Sequence, residues 1–267
     1  MKPPPMSTRT DPEPRLVPAV ERAVRLLDTL AAARQPQSLA DLARTLDLPK
    51  SSLHGLLGTL SALGLVRRGD DGNFALGAKS LQWASAFGSQ SDVLRAFEEQ
   101  ADRMPALQTE TIMLAVLDGA DVTYLGCRHG TRPLAVNFRV GGRFPATCTA
   151  SGKAIMATMP PERVRALLTG RSLQRLTRNS VGTLTALLRQ LDEAGPLGYA
   201  VDDEETAEGM HCFGAPVFAA HRTEAIAAVA VSVIKAGVPA RRRTELIATI
   251  REFAARVSVQ LGAPGPH

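Results

Sequence analysis

The chain has 267 residues, 45% apolar and 21% charged, with a net charge of +5. That is the composition of a soluble globular protein large enough for two ordinary domains. No run of about 18 apolar residues occurs, so no membrane span is expected. The three cysteines (Cys127, Cys148, Cys212) are an odd number in a large chain, which fits a reducing cytoplasm better than a disulfide framework.

Residues 1–15 have prolines and mixed charge but no apolar core, so they read as a short disordered arm rather than a secretory signal. From residue 16 helical spacing begins. In "LVPAVERAVRLLDTLAAA" a stripe of Val20, Ala23, Val24, Leu27 and Leu30 marks a first helix. "SLADLARTLDLP" follows, with Ser38 placed to cap a short second helix whose buried side is Leu39, Leu42, Ala43 and Leu46. "DLP" then breaks the chain before "KSSLHGLLGTL". Two short helices joined by so tight a turn form a helix-turn-helix, with the second placed to enter a DNA groove.

That third helix has leucines at 53, 56, 57, 60 and 63 on one face. About 100° per residue puts Ser51, Gly55, Gly58 and Ala62 opposite, a face nearly bare of side chains. Each glycine costs a helix interior about 1 kcal/mol relative to alanine. Either another helix packs closely there or the face meets something large and flat. Lys50, Ser51, Ser52 and His54 are the groups that could reach DNA, the helix start offering free amides and partial positive charge to a phosphate. The plainer alternative is that Ser51 or Ser52 caps the helix.

"GLVRRGDDGNFALG" reads as a hairpin, Leu65–Arg68 and Phe74–Leu76 around an Asp-Gly turn. Three helices and a hairpin make a winged helix, with Arg67 and Arg68 where a wing meets phosphates. Residues 1–80 carry eleven Lys/Arg against eight Asp/Glu, more basic for their length than the twenty against eighteen that follow. Residues 78–90 read as a linker helix with a break at "GSQS".

After residue 91 the pattern changes. A helix interrupted by Pro105 precedes the strand-like runs "TIMLAVLDG", "DVTYLGCRHG" and "PLAVNFRV". Helices at "ASGKAIMATM", 161–168 and 183–194 come next, then strands at "GYAVDD", "CFGAPVFAA" and "AIAAVAVSVI", and a closing amphipathic helix. This is an α+β domain around an antiparallel sheet.

Several motifs in this half invite rival chemistry. "TASGKAI" fails as a phosphate loop, because Thr147 stands where the first glycine belongs and Ala154 follows the lysine. "VDDEE" has the default reading of a solvated acidic run. Cys127, His129, Cys148, His211 and Cys212 are residue types that bind zinc, yet no C-x-x-C or H-x-x-x-H spacing links them. Nor does any feature pair a thiol with a base and an orienting group, as a nucleophile needs. "ARRRTEL" reads as a solvated loop or subunit-contact patch, since three cations oppose the dipole of a helix start.

The stretches "VPAVERAVRLLDTL", "SLADLARTLDLPKSSLHGLLGTLSALGLVRR", "RVGGRFPATCTASGKAIMA" and "GYAVDDEETAEGMHCFGAPVF" resemble, in order, the IclR family of bacterial transcriptional regulators. The resemblance covers residues 17–260. It implies two domains: a winged helix-turn-helix over 16–77 and, after the 78–90 linker, an α/β effector and oligomerisation domain over 91–262. That second domain would be built on a curved antiparallel sheet similar to GAF and PAS sensor folds. No catalysis, cofactor or metal is implied. The implied partners are double-stranded operator DNA, a small organic or aromatic acid, and further copies of the chain as homodimer or homotetramer.

The residues expected to contact DNA are Ser38, Lys50, Ser51, Ser52, His54, Arg67 and Arg68, whereas the effector residues are carried over by family position. The effector set is Phe144, Ala150, Ser151, Asp202, Cys212 and Ser232, with the turn at Ala150 and Ser151 presenting amides to an anion and Phe144 forming an apolar wall. Two positions depart from the family. Gly55 stands where arginine is usual, which removes a bidentate reader of guanine. Ala230 stands where a second serine is sometimes found, which implies a pocket with one hydroxyl fewer. A metal sensor or small-molecule enzyme built on the second domain is the competing class.

Overall fold

The computed structural model describes residues 16–131 and 138–265. The expected arm at 1–15 and most of the "PLAVNFRV" strand lie outside them. The chain divides into two compact units between Phe87 and Gly88.

The first unit is a winged helix. Helix α1 (Pro18–Ala32) starts on a proline, whose missing N–H is no loss in a first turn. Its buried side is Leu26 and Leu30, with Ala23 and Leu27 beside them. This corrects the expected stripe: Val20 and Val24 are exposed. They sit about 100° and 140° off the Leu26–Leu30 line, and a residue's β-branch does not tell which way a helix rolls onto its neighbours.

Helix α2 (Leu39–Leu46) is capped by Ser38, whose Oγ accepts the Asp41 amide at 3.1 Å and donates to the Asp41 carboxylate at 2.6 Å. Asp47 ends α2 in the left-handed region, φ 52°. Helix α3 (Lys50–Ala62) follows two residues later and buries Leu53, Leu57 and Leu60 against α1 and α2. Leu63, expected on that face, is exposed beyond the helix end. Strands β1 (Val66–Arg68) and β2 (Phe74–Leu76) pair antiparallel, Arg67 opposite Ala75 and Arg68 opposite Phe74. Gln37 bonds Phe74 in both directions at 2.8 Å, which ties the hairpin to the entry of α2.

Helix α4 (Lys79–Gln90) crosses the division between the units. It runs through Gly88 to Gln90 and ends at Ser91, the last residue of "GSQS", so the break expected in that stretch falls at its end, where Ser91 caps the next helix through the Leu94 amide. Glycine and serine lower helix propensity by only fractions of a kcal/mol to about 1 kcal/mol each, too little to interrupt a helix alone.

In the second unit, α5 (Asp92–Asp102) ends before a short 3-10 turn at Pro105–Leu107. Strands β3 (Thr111–Asp118), β4 (Asp121–Arg128), β5 (Arg143–Pro145), β6 (Ala200–Asp203), β7 (Met210–Val217) and β8 (Ala227–Ile234) form one curled antiparallel sheet in the order β5-β4-β3-β8-β7-β6. Strand β5 was not expected. Its three residues give too short an alternation to read.

Helices α6 (Ala150–Met156), α7 (Pro161–Leu168), α8 (Leu184–Leu197) and α9 (Ala240–Gln260) complete the unit. Because strand side chains alternate, the sheet has two buried faces. One carries Ile112, Leu114, Phe213, Val229 and Val231 against α5 and α9. The other carries Met113, Tyr124, Cys212 and Ala230 against α6, α7 and α8.

The "ARRR" cluster is not a loop. It forms the first turn of α9, where Arg241 pairs with Glu245 at 3.1 Å and Arg242 reaches buried Glu110 at 3.1 Å. These carboxylates offset the unfavourable end of the helix dipole.

Candidate DNA interface and effector pocket

Pro49 stands at the N-cap position before α3, and no side chain caps the helix. Ser51 and Ser52 lie inside the helix, so the capping alternative for them does not hold. Lys50, Ser51, Ser52, His54, Gly55, Gly58 and Thr59 are all exposed, while the leucines face inward. A Cβ added at Gly55 or Gly58 would meet nothing within 4 Å. Among the described residues of the first unit nothing packs at either glycine, so tight packing within that unit is not what asks for glycine here. The start of α3 therefore offers free backbone amides, an ammonium and two hydroxyls on a smooth surface.

Ser38 lies near the other end of the α2–α3 pair, with its hydroxyl engaged in the cap. Arg67 is exposed on β1. Arg68 is exposed too, but it is steadied, Nε donating to Gly72 O at 3.3 Å and the guanidinium 5.5 Å from the Phe74 ring centroid. The turn between the strands is held by Asp71, which accepts from the Asn73 amide and side chain. These bonds lower the Asp71 pKa.

In the second unit, register aligns three of the six expected effector residues. Asp202 on β6 is opposite Cys212 on β7, and Cys212 is opposite Ser232 on β8. Ser232 Oγ donates to Cys212 Sγ at 3.0 Å. Asp202 Oδ1 accepts the amides of Glu205 at 2.7 Å and Thr206 at 3.1 Å, which folds the acidic stretch into a turn. All three residues are buried. Desolvation, then the nearby Asp202 charge, pushes the Cys212 thiol pKa well up, so it stays protonated.

Ala150 and Ser151 open α6 and press on β7: a Cβ at Gly214 would fall 2.6 Å from Ala150 C and 2.8 Å from the Ser151 amide nitrogen. Glycine at 214 is what lets the helix start lie on the sheet. The cap of α6 is Thr149, accepting the Gly152 amide at 3.0 Å. Ser151 Oγ is buried without a hydrogen-bond partner among the described residues. Phe144 is half-buried, its ring 5.7 Å from Tyr124 and 5.8 Å from Phe138.

Tyr124 and Phe138 were not anticipated, although the alternation in "DVTYLG" marks Tyr124 as inward-facing. Burial, then Cys212, raises the Tyr124 pKa, so the phenol remains neutral. Tyr124, Phe138 and Phe144 thus pack on the same side of the sheet as Cys212, which Ser232 and Asp202 flank in register.

The remaining motifs have structural uses. Lys153 of "TASGKAI" is buried and pairs with Glu205, and its ammonium also donates to Gln190 at 3.2 Å. The acidic run divides: Asp203 and Glu204 share Lys235 at 2.7 and 2.8 Å, while Glu205 turns inward to Lys153. Cys127 lies 3.8 Å from His129, Cys148 bonds Gln174 O, and no group of three or more metal-ligating side chains occurs among the described residues.

A winged helix joined through a helix to a separate α/β unit is the architecture of a DNA-binding regulator. Comparison with known proteins agrees. The IclR helix-turn-helix model matches residues 19–70, and the model of the bacterial transcriptional regulator IclR C-terminal domain matches residues 86–259.

Among curated relatives, the transcriptional repressor IclR of Escherichia coli (strain K12) is 30% identical over 259 residues, covering 95% of this chain and 93% of that one. KdgR of the same strain is 28% identical, covering 94% and 95%. Among solved structures, the Agobacterium tumefaciens repressor BlcR is 36% identical with a TM-score of 0.59, covering 92% and 98%. An IclR homologue from Microbacterium hydrocarbonoxydans, solved with 4-hydroxybenzoate, is 24% identical with a TM-score of 0.78, covering 92% and 100%. The chain belongs to the IclR family of bacterial transcriptional regulators, which are DNA-binding proteins. Among the described residues no helix is long and apolar enough to cross a membrane.

Proposed function

We propose that this regulator binds operator DNA in the cytoplasm as a homodimer or homotetramer, and that a small aromatic acid in the second unit sets its affinity. The carrying observation is the exposed, unobstructed face of α3, with Lys50, Ser51, Ser52 and His54 outward and no side chain at Gly55 or Gly58. This helix start lies in the major groove, and Arg67 and Arg68 on the wing contact phosphates. Ser38 contributes through its place at the start of α2. With no arginine at 55, indirect readout of DNA shape carries much of the sequence preference.

The effector lies among Phe144, Ala150, Ser151, Asp202, Cys212 and Ser232. The Tyr124, Phe138 and Phe144 rings favour an aryl group, and Ser151 Oγ supplies a donor for the acid. Regulation requires that the ligand favour one arrangement of the DNA-binding units over another. Helix α4, shared by both units, is the element through which this acts.

The test is binding of the purified protein to DNA from its own upstream region, against random duplex at about 150 mM salt, with and without 4-hydroxybenzoate and related aryl acids. A preference of about a thousand-fold for upstream DNA supports a specific regulator. Equal, salt-fragile binding to both duplexes overturns that reading. A full specific complex indifferent to every aryl acid overturns the effector class alone.

A further inference from the structure

The second unit has another cleft, on the α9 side of the sheet, away from the pocket that faces α6. Its volume is about 410 Å³, within the roughly 300–1,000 Å³ range of small-molecule sites. The end of β7, the turn that follows it, the last turns of α9 and the cap of α8 meet there. Its walls are apolar, chiefly Ala215, Pro216, Phe218, Ala254 and Pro264.

Two arginines, Arg222 and Arg251, line this apolar cleft. Neither has a side-chain hydrogen bond or an ion pair among the described residues. The nearest acid in sequence to Arg222, Glu224, is committed to Arg163 at 2.6 Å. Arg251 lies against the end of α8, where a Cβ at Gly198 would sit 3.5 Å from its Nε. The dipole there offers about half a negative charge, which partly balances one guanidinium and leaves the second uncompensated.

Two hydroxyls, Thr223 and Ser258, also line the cleft, and the serine is already engaged. Ser258 Oγ donates to Ala254 O at 2.7 Å and accepts the Phe218 amide at 3.0 Å, so it fixes the aromatic wall.

Two unpaired cations at an apolar cleft match one chemistry: an anionic head that a guanidinium grips by two parallel hydrogen bonds, and an apolar tail that removes the walls from water. We propose that this cleft is a second ligand site, for a monocarboxylate with a compact aliphatic or arylalkyl tail. The proposal does not depend on the effector pocket. The two sites share β7, which carries Cys212 on one face and Ala215 on the other.

The experiment is calorimetric titration of the full-length protein with sodium octanoate and with uncharged octanamide. The wild type, the Arg222→Gln/Arg251→Gln variant and the Arg222→Lys/Arg251→Lys variant are compared, each checked for a native melting curve. Octanoate is expected to bind the wild type with octanamide at least about tenfold weaker, since a charge-assisted hydrogen bond is worth at least that factor. The glutamine variant should lose octanoate affinity by about thirtyfold or more, and the lysine variant, which keeps charge but loses the fork, should fall between. Octanoate that binds the glutamine variant as tightly as the wild type lies elsewhere and overturns the proposal. So does a wild type that takes up no octanoate at 1 mM, or one that binds octanamide equally well.

Discussion

Ser232 and Cys212 stand directly opposite each other on β8 and β7, and the serine hydroxyl donates to the thiol at 3.0 Å. One rung along β8 on the same face is Ala230, opposite Gly214 and Met113. A hydroxyl at 230 would enter the pocket with no evident partner. Ala230→Ser is therefore expected to destabilise the ligand-free protein by about 1 kcal/mol, the low end for an unsatisfied buried group. It should also move ligand preference towards a smaller, more polar acid by about tenfold. Denaturant unfolding, with titrations of 4-hydroxybenzoate and glycolate, checks both effects. Unchanged preference would place Ala230 outside the site.

The cysteines should differ in reactivity. Only the thiolate attacks an alkylating agent, and burial raises the pKa of all three. Cys127 is half-buried, while Cys148 and Cys212 are fully covered. Under iodoacetamide at pH 8, mass spectrometry should find Cys127 modified first and slowly. Cys148 and Cys212 should react only after unfolding. Early modification of Cys212 would contradict the closed pocket floor.

Gly55→Ala and Gly58→Ala should each stabilise the first unit, by about 1 kcal/mol on helix propensity, because the added methyls meet nothing. If α3 docks on DNA through this face, the same changes cost operator affinity. Gly55→Arg should restore a preference for guanine at one operator position by about 1–3 kcal/mol. Melting curves and binding to operator variants measure the two sides. Gain of stability with no change in binding would remove this face from the interface.

The buried Lys153–Glu205 pair links α6 to the turn after β6. Lys153→Met leaves a buried carboxylate unpaired and should cost about 3–5 kcal/mol, whereas Lys153→Met with Glu205→Leu should recover most of the loss. Urea unfolding of single and double variants decides it. A double variant no better than the single one would mean that packing, not charge, sets the cost.

His211 gives the stability a pH dependence. Its ring is buried against Phe213, with Nδ1 unpartnered. Desolvation lowers its pKa, Arg243 of α9 and Lys235 disfavour the charge further, and Asp203 and Asp202 oppose them. The unfolded chain therefore takes up the proton first as pH falls through about 6.5. Stability is fully present above that value and is lost below it. Melting temperatures between pH 7.5 and 5.5 should drop for the wild type and drop less for His211→Phe. Equal slopes would assign the acid loss to other groups.

Much of the architecture was legible because its signals are local. The Ser38 cap, the three-residue break before α3 and the Asp-Gly hairpin each depend on a few adjacent residues. The site was legible only in part. Asp202, Cys212 and Ser232 matched family positions, but their alignment in one rung depends on the register of three strands. With the phosphate loop refused, the sequence left Lys153 without a role and Glu205 as a solvated acid, and Gln190, which Lys153 also reaches, is 37 residues away.

By itself the sequence determined where most of the helices and strands form, since periodicity, caps and turn residues act over one or two turns of chain. It also determined that one face of α3 carries almost no side chains. Only the tertiary structure decided which charges are buried, because desolvation and pairing depend on segments distant along the chain. Val20 turned outward and Leu26 inward for the same reason: which way α1 rolls is set by what it packs against. The two arginines of the α9-side cleft are unremarkable 29 residues apart in the sequence, and the fold alone brings them to one apolar wall.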